Sequence, residues 1–388
     1  MPRDSNDPRR QRRPTLDTLA KTLGVSKTTV SNAFGRPDQL SSDLRERILA
    51  AAREAGYAGP DPVARMLRTG RAGAIGLILP QSLPSSLDDP TTAALLRGIA
   101  DACEERRLGL LIIPGVVRGR DTQRIVDVAV DGFIAYSLPR DLAVLEEVVT
   151  RGDPLVVIDQ PRRPDVSTIH VDDFLGAQLA ASHLAELGHR RVAIVSLPFQ
   201  ADGYTGPGQV GRTTVPAYDV PGERMRGYGA ALATKGISLD DVPIFECARS
   251  EEELGLQAGR FVLDSGAGVT AVLAMTDRLA LGVLAAAREH GINVPDELSI
   301  IGFDDIDGAA HARPSLTTIR QPLQLKGYAA VRFLLDSPGV TGESGILDLP
   351  VGTVRSRLHR ARMQLREELE GGSGKAEVGR KKDELTRL

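Results

Sequence analysis

The 388-residue chain reads as a small all-α head followed by a larger α/β body of two parallel-sheet subdomains. Three observations predict this. Across residues 15–67 apolar side chains recur at helical spacing, broken by capping residues and glycine. From Ala74 onward, short apolar runs alternate with amphipathic helices over roughly 250 residues, the pattern of strands and crossover helices, and long enough for two such units. Charge divides along the same line: residues 1–71 hold 14 Lys and Arg against 8 Asp and Glu, whereas residues 72–350 hold 24 against 37. A basic head on an acidic body suits contact with phosphates at one end only.

Within the head, Leu16, Leu19, Ala20 and Leu23 share one face of a first helix, which Gly24 stops. Ser26 is placed to cap a second helix over 27–34, with Val30 and Ala33 facing inward and Lys27, Thr28 and Asn32 facing out. Ser41 or Ser42 starts a third, whose buried stripe is Ile48, Leu49, Ala52 and Ala55. Two helices joined by a Gly-Val-Ser turn, the second polar and basic outside, form a helix-turn-helix of the kind that enters the major groove. On spacing alone, a small bundle with a solvated polar face fits as well.

Thr15, Leu16, Leu19, Ala20, Gly24, Val25, Ser26, Thr29, Val30 and Ser31 meet the pattern T-L-x-x-[VL]-A-x-x-x-G-V-S-x-x-T-V-S. Gly56, Tyr57, Ala64, Arg65 and Leu67 meet a later G-Y and A-R-x-L. The stretch closely resembles the DNA-binding headpiece of the lactose repressor/galactose repressor (LacI/GalR) family of bacterial regulators. The resemblance implies base-edge contacts from Lys27, Thr28 and Asn32, since Lys can donate to guanine and Asn can pair with adenine. It implies phosphate contacts from Ser26, Thr29 and Ser31. Asn32 stands where many relatives have arginine, and Gly35, in place of their usual asparagine, suits a C-cap. Asp61 is placed to cap a short hinge helix over 63–67, and the resemblance makes Leu67 an apolar wedge for the minor groove. From the residues alone, a linker leucine packed on the next domain fits too.

The apolar runs of the body are 74–79, 109–114, 131–137, 154–159, 191–196, 270–275 and 297–303, with helices such as 92–107, 176–187 and 279–289 between them. Further motifs carry the resemblance as far as residue 336. They are Asp172 and Asp173 with Gly176; Glu223 and Arg224 with Gly227 and Tyr228; Thr276 and Asp277 with Gly282; residues 302–305; and Gln321 with Pro322. They resemble the periplasmic-binding-protein-like core of the same family, which implies two subdomains joined by three crossovers and closing on a small ligand. Open α/β sheets bind ligands at the carboxyl ends of their strands, where Asp159, Thr276, Asp277 and Asp304 fall. The resemblance nominates Arg224, Asp304, Asp159, Thr276 and Gln321 as effector-binding, with Tyr136 and Ser137 beside them. Carboxylates and an arginine facing a cleft suit paired hydroxyls. Asp277 is expected to cap the helix that follows it.

Other features bear on what to exclude. Cys103 and Cys247 are too few and too far apart for a disulfide scaffold, which suits a reducing cytoplasm. No run has the 18 apolar residues of a membrane span. The polar, arginine-rich residues 1–13 read as a disordered basic arm and not as a signal peptide. Residues 206–211 spell G-x-G-x-x-G without a preceding strand, and read as a mobile insertion at the cleft rim. His183 and His189 have no partner cluster for a metal, and no nucleophile–base set points to catalysis.

The end of the chain departs from the pattern. Residues 346–350 followed by Arg355 and Ser356 could form the family's last strand. Residues 350–369 are also similar to the recognition-helix half of region 4 in extracytoplasmic-function sigma factors. Val354, Leu358, Ala361, Leu365 and Leu369 would then make an apolar helical stripe. A packed or oligomerising helix, an appendage without function and an auxiliary DNA contact all fit.

The expectation is a homodimeric transcriptional regulator, a repressor, in the cytoplasm, with a tetramer as a further state. Its partners are a palindromic DNA operator and a small-molecule effector, a sugar or related metabolite; no cofactor, metal, membrane or catalytic site is expected. Its divisions are the arm 1–13, the head 14–59, a hinge 60–71, the core 72–350 and a basic helical tail 351–388. The rival is a sugar-binding protein whose DNA function the unusual C-terminus has altered or removed.

Overall fold

The structure, a computed structural model, describes residues 14–59, 61–114, 125, 127–140, 142–209, 211–212, 216–337 and 354–355. It divides into two units, one ending at Gly73 and the other starting at Ala74. The basic arm, residues 346–350, and Leu358, Ala361, Leu365 and Leu369 lie outside the described residues.

The first unit contains α1 (Leu16–Leu23), α2 (Lys27–Gly35), α3 (Ser42–Glu54) and α4 (Pro62–Thr69). Thr15 caps α1 by accepting from the Thr18 amide at 3.2 Å, and Gly24 closes it in the left-handed conformation with φ 65°. Ser26 then caps α2, accepting from the Thr29 amide at 3.0 Å. Leu19, Ala20, Val30, Ala33, Ile48 and Ala52 form the buried centre of the three-helix head, with the Phe34 and Tyr57 rings edge-on at 5.7 Å. Two expectations fail at helix ends. Ala55 is exposed because α3 stops at Glu54, and Leu44 and Ala51 pack on the core instead. Gly35 is the last residue of α2 and not a left-handed cap: the chain leaves through Arg36 at φ −141°, whose amide donates to the Asn32 carbonyl. The hinge helix α4 starts one residue earlier than expected, with Pro62 at its first position, where a missing N–H costs nothing, and runs two residues longer.

The second unit begins with β1 (Ala74–Ile78), α5 (Leu83–Leu87), α6 (Pro90–Arg106), β2 (Gly109–Ile113), β3 (Phe133–Tyr136), α7 (Ala143–Arg151), β4 (Leu155–Ile158) and β5 (Ser167–Ile169). These strands form a parallel sheet in the order β2-β1-β3-β4-β5. The chain crosses at residues 170–172 into α8 (Asp173–Glu186), β6 (Val192–Ser196), β7 (Gly206–Pro207), α9 (Asp219–Ala233), β8 (Ile244–Glu246), α10 (Glu252–Asp264), β9 (Ala271–Ala274), α11 (Asp277–Glu289), β10 (Ser299–Asp304), α12 (Asp307–His311) and β11 (Thr317–Arg320). It returns at 321–322 into α13 (Leu323–Asp336), which packs on α6 and the first sheet, and β12 (Val354–Arg355) rejoins the second sheet. That sheet runs β12-β11-β10-β9-β6-β8-β7, parallel except at its two edges.

The unbroken apolar runs follow from helices on both faces of each sheet. Successive side chains point to opposite faces, so Val192 and Ile194 join one core with α8 and α9, while Ala193 and Val195 join another with α10 and α11. Glycines set the tightest helix contacts. A Cβ on Gly98 of α6 would lie 1.8 Å from the Gln324 carbonyl oxygen of α13, and one on Gly282 of α11 would lie 2.1 Å from the Glu252 carbonyl oxygen of α10.

Two further expectations are corrected. Val354 is in an edge strand antiparallel to β11, so it is not the first residue of a helical stripe. Gly206 and Pro207 pair with β8, which anchors the segment expected as a mobile insertion; Asp202 and Gly203 just before it do border the cleft.

Candidate functional site

In the head, the side chains nominated for DNA lie on α2 and its cap. Lys27 and Thr28 are exposed, while Thr29, Ser31 and Asn32 are half-buried. Lys27 Nζ pairs with Asp17 at 2.9 Å, and Asn32 Nδ2 donates to Gln39 Oε1 at 3.0 Å. The Lys27 pair is mostly solvated, so it holds the side chain weakly and can be exchanged for another acceptor. Ser26 is occupied as a cap and also bonds Thr29 Oγ1 at 2.8 Å. On α4, Leu67 is 78% exposed, a large apolar side chain with little cover.

In the body, a cleft of about 910 Å³ lies between the carboxyl ends of the two sheets. Tyr136, Ser137, Asp159, Arg224, Thr276, Asp304 and Gln321 all line it, so the structure brings together every residue nominated for the effector. The strand ends bend sharply there: Ser137, Asp159 and Asp304, which end or follow β3, β4 and β10, have φ of 50°, 68° and 126°. Non-glycine residues held in this region carry strain that the surrounding structure must offset.

Asp159, Gln321 and Asp304 are linked through a lysine. Lys326 of α13 is fully buried, and its ammonium donates to Asp159 Oδ1 at 2.6 Å and to Gln321 Oε1 at 2.7 Å. Gln321 Nε2 in turn donates to Asp304 Oδ1 at 2.6 Å. The chain of bonds runs from the first sheet, through the crossover, to the second. Burial pushes the Asp304 carboxyl well above the usual range, against the opposing pull of the Arg224 guanidinium. Arg224 is itself buried; it pairs with Asp173 at 2.9 Å, donates to the Met275 carbonyl and stacks its guanidinium 3.6 Å from the centre of the Phe303 ring. Burial likewise raises the Tyr136 hydroxyl well above its ordinary value, with the Asp159 charge acting in the same direction. Tyr136 therefore stays a neutral donor.

The cap expected of Asp277 is supplied by Thr276, which also lines the cleft as expected. Thr276 caps α11, accepting from the Leu279 amide at 3.3 Å, and bonds Ser250 at 2.8 Å at the cleft wall. Asp277 is fully buried at the first helical position. It accepts from Thr318 Oγ1 at 2.5 Å and from the Ile306 amide at 2.9 Å, tying β11 and the β10–α12 turn to α11. Its carboxylate also explains Gly302, where a Cβ would lie 2.2 Å from Asp277 Oδ1. Burial pushes the Asp277 carboxyl up to about 6.

Comparison with known proteins decides the family. A family model described as bacterial regulatory proteins, lacI family, matches residues 15–59, and one described as a periplasmic binding protein-like domain matches residues 181–353. An HTH-type transcriptional regulator of Mycobacterium tuberculosis is 39% identical over 335 residues, spanning 85% of this chain and 93% of that protein. The chain belongs to the lacI family of bacterial regulatory proteins. Among solved structures, the complex of the transcriptional regulator CelR with cellobiose matches with a TM-score of 0.60 at 28% identity, covering 84% of this chain and 93% of that one. The Lac repressor dimer bound to operator and an anti-inducer matches with a TM-score of 0.70; at 24% identity over 88% of this chain and 98% of that one, it shows the fold. The relatives of this lacI-family chain are regulators and not enzymes. Among the described residues no helix is long and apolar enough to cross a membrane.

Several residues in the cleft wall or directly behind it escape sequence reasoning in this lacI-family chain. Lys326 had a signal: Leu323, Lys326, Gly327, Ala330, Val331 and Leu334 are the buried residues of α13, so a lysine stands on an apolar helical stripe. Asp173 fell in a motif of the resemblance without its role being legible, and Gln160 had no signal. Asp173 binds Arg162 from the first subdomain and Arg224 from the second, both at 2.9 Å. Gln160 joins Ser137 to the first turn of α9 through the Val220 amide. Asp89 at the start of α6 also faces the cleft.

Proposed function

We propose that this chain is a repressor whose grip on DNA is set by a small polyhydroxy effector held in the cleft. In this reading Lys27, Thr28 and Asn32 meet base edges, Ser26, Thr29 and Ser31 hold phosphates, and Leu67 enters the minor groove. Arg224, Asp304, Asp159, Thr276, Gln321, Tyr136 and Ser137 bind the effector. The observation that carries it is the convergence of all seven on one cleft between two subdomains, in a chain that also holds a helix-turn-helix head. A ligand bridging both walls favours one relative angle of the subdomains, and the DNA-competent arrangement is populated accordingly. The binding of cellobiose by the related regulator CelR supports a sugar as the effector class.

The working divisions are the head at 14–59, a hinge at 60–71, the effector core from 72 to 350 together with its edge strand at 354–355, and the tail beyond. The working assembly is a cytoplasmic homodimer, or a tetramer of two, on a palindromic operator. Selection of bound sites from a random duplex library by the purified chain tests this. Two inverted half-sites are expected, because a two-fold dimer reads each half alike. A single asymmetric site, or no enrichment at low salt, contradicts it.

A further inference from the structure

The charges around the cleft are almost all paired within the protein. Among the described residues, the cleft lining has two cations, Arg224 and Arg249, and five carboxylates, Asp89, Asp159, Asp202, Asp304 and Glu251. Arg224 is paired with Asp173 and Arg249 with Glu251; behind the wall Lys326 is bonded to Asp159, Arg212 to Asp202 at 2.8 Å, and Arg278 lies 4.0 Å from Asp89. Each lining cation already has a carboxylate partner, and the lining acids outnumber the bases.

Helix starts are the other usual seat for an anion, because their first amides are unpaired and the helix dipole is positive there. Several open on this cleft: those of α6, α9 and α11 are occupied from within, Ser82 caps α5, and the uncapped start of α10 carries Glu252 and Glu253 in its first turn. At α6 the Asp89 carboxylate accepts from the Thr91 and Thr92 amides, both at 3.3 Å, so the chain's own acid sits where a phosphate would. At α9 the Val220 amide donates to Gln160 Oε1 at 2.8 Å, and Pro221 has no N–H. At α11 the Thr276 hydroxyl caps the first turn. What remains toward the cleft is a set of hydroxyls, amides and carboxylate oxygens, which pair with the alternating donors and acceptors of a polyol.

We propose that the cleft selects an uncharged polyhydroxy compound and rejects its phosphate ester. This rests on the cleft being the effector site and adds the charge class of the effector. An ester carrying two negative charges would enter a net acidic enclosure whose cations are already paired, and Asp89 is the carboxylate placed to repel it at the α6 start.

The test is titration calorimetry on the full chain with a panel of neutral sugars and polyols. Each is paired with its phosphate monoester, as glucose with glucose 6-phosphate, and inorganic phosphate serves as the free anion. The neutral member of a binding pair should bind about 100-fold more tightly than its ester. In Asp89→Asn, which keeps a good helix cap without the charge, the gap should shrink by about tenfold through a gain in ester affinity. An ester that binds as tightly as its neutral partner, or displacement of a bound sugar by inorganic phosphate, overturns the proposal. An unchanged gap in Asp89→Asn overturns the part given to Asp89. Binding by no member of either set instead overturns the reading of the cleft as a sugar site.

Discussion

The head and the cleft of this lacI-family chain present their functional groups in opposite ways. In the head the outermost groups are exposed and lightly held: Lys27 has a solvated ion pair, and Leu67 is 78% exposed. In the cleft, Asp304 and Arg224 are 3% and 4% exposed, and Lys326 beneath them is fully buried, each with strong partners inside the protein. A surface that grips an external polymer needs side chains that can exchange partners at little cost. A cleft that discriminates among small ligands needs them fixed before the ligand arrives, because ordering them on binding would cost affinity.

The sharpest way to break this comparison is to remove one charge from each region. Lys326→Met leaves Asp159 buried without its counter-charge and should destabilise the body by about 3–5 kcal/mol in urea unfolding. Lys27→Met should change the stability of the head by under about 0.5 kcal/mol, since its pair is solvated. Equal costs would mean that the cleft network is no more fixed than the surface.

Rigid packing around the cleft gives the next effect. Gly98→Ala places a methyl group on the Gln324 carbonyl and should cost about 1–3 kcal/mol, read by thermal unfolding. In the head, effects should appear on DNA binding with stability unchanged. Leu67→Gly should weaken a selected site by about tenfold while leaving non-specific binding intact, since unstacking a base step matters only where the duplex is kinked. Lys27→Ala should cost about 1–3 kcal/mol at one base position; a uniform loss over all sequences would make it a phosphate contact.

The smallest effect is one of pH. The folded Asp277 carboxyl titrates at about 6, above its ordinary 3.8, so between these values the folded chain binds more protons than the unfolded one. Its contribution therefore makes the body more stable as pH falls from about 7 toward about 4. The slope of urea midpoint against pH should be shallower in Asp277→Asn across that window.

The same contrast explains what was legible in the sequence. The head's elements are local, so caps such as Thr15 and Ser26 and the spacing of Leu19, Val30 and Ile48 foretell them. The misplaced features, Ala55 and Gly35, were helix ends, where a one-residue shift moves a side chain out of the core. The body's strands were legible because each apolar run is buried on both faces. The cleft was harder, because its groups come from strand ends and crossovers distant in sequence. Strand ends and resemblance brought seven residues to it, but the partners of Asp173, itself part of a recognised motif, and of Gln160 lie about 50 and 60 residues away, which no local pattern records. Asp277 was misread because a residue that starts a helix and a residue that braces a neighbouring strand look alike until the strand is seen.

The measurement that tests the account most directly is coupling between the two regions. A duplex from the selected pool would be bound by the full chain while a ligand from the calorimetric panel is titrated, with DNA affinity read by fluorescence anisotropy. The account predicts that affinity changes by at least about fivefold as the ligand saturates, in one direction only. The same DNA affinity at saturating ligand would contradict it, because ligand and operator would then be bound by regions that do not communicate.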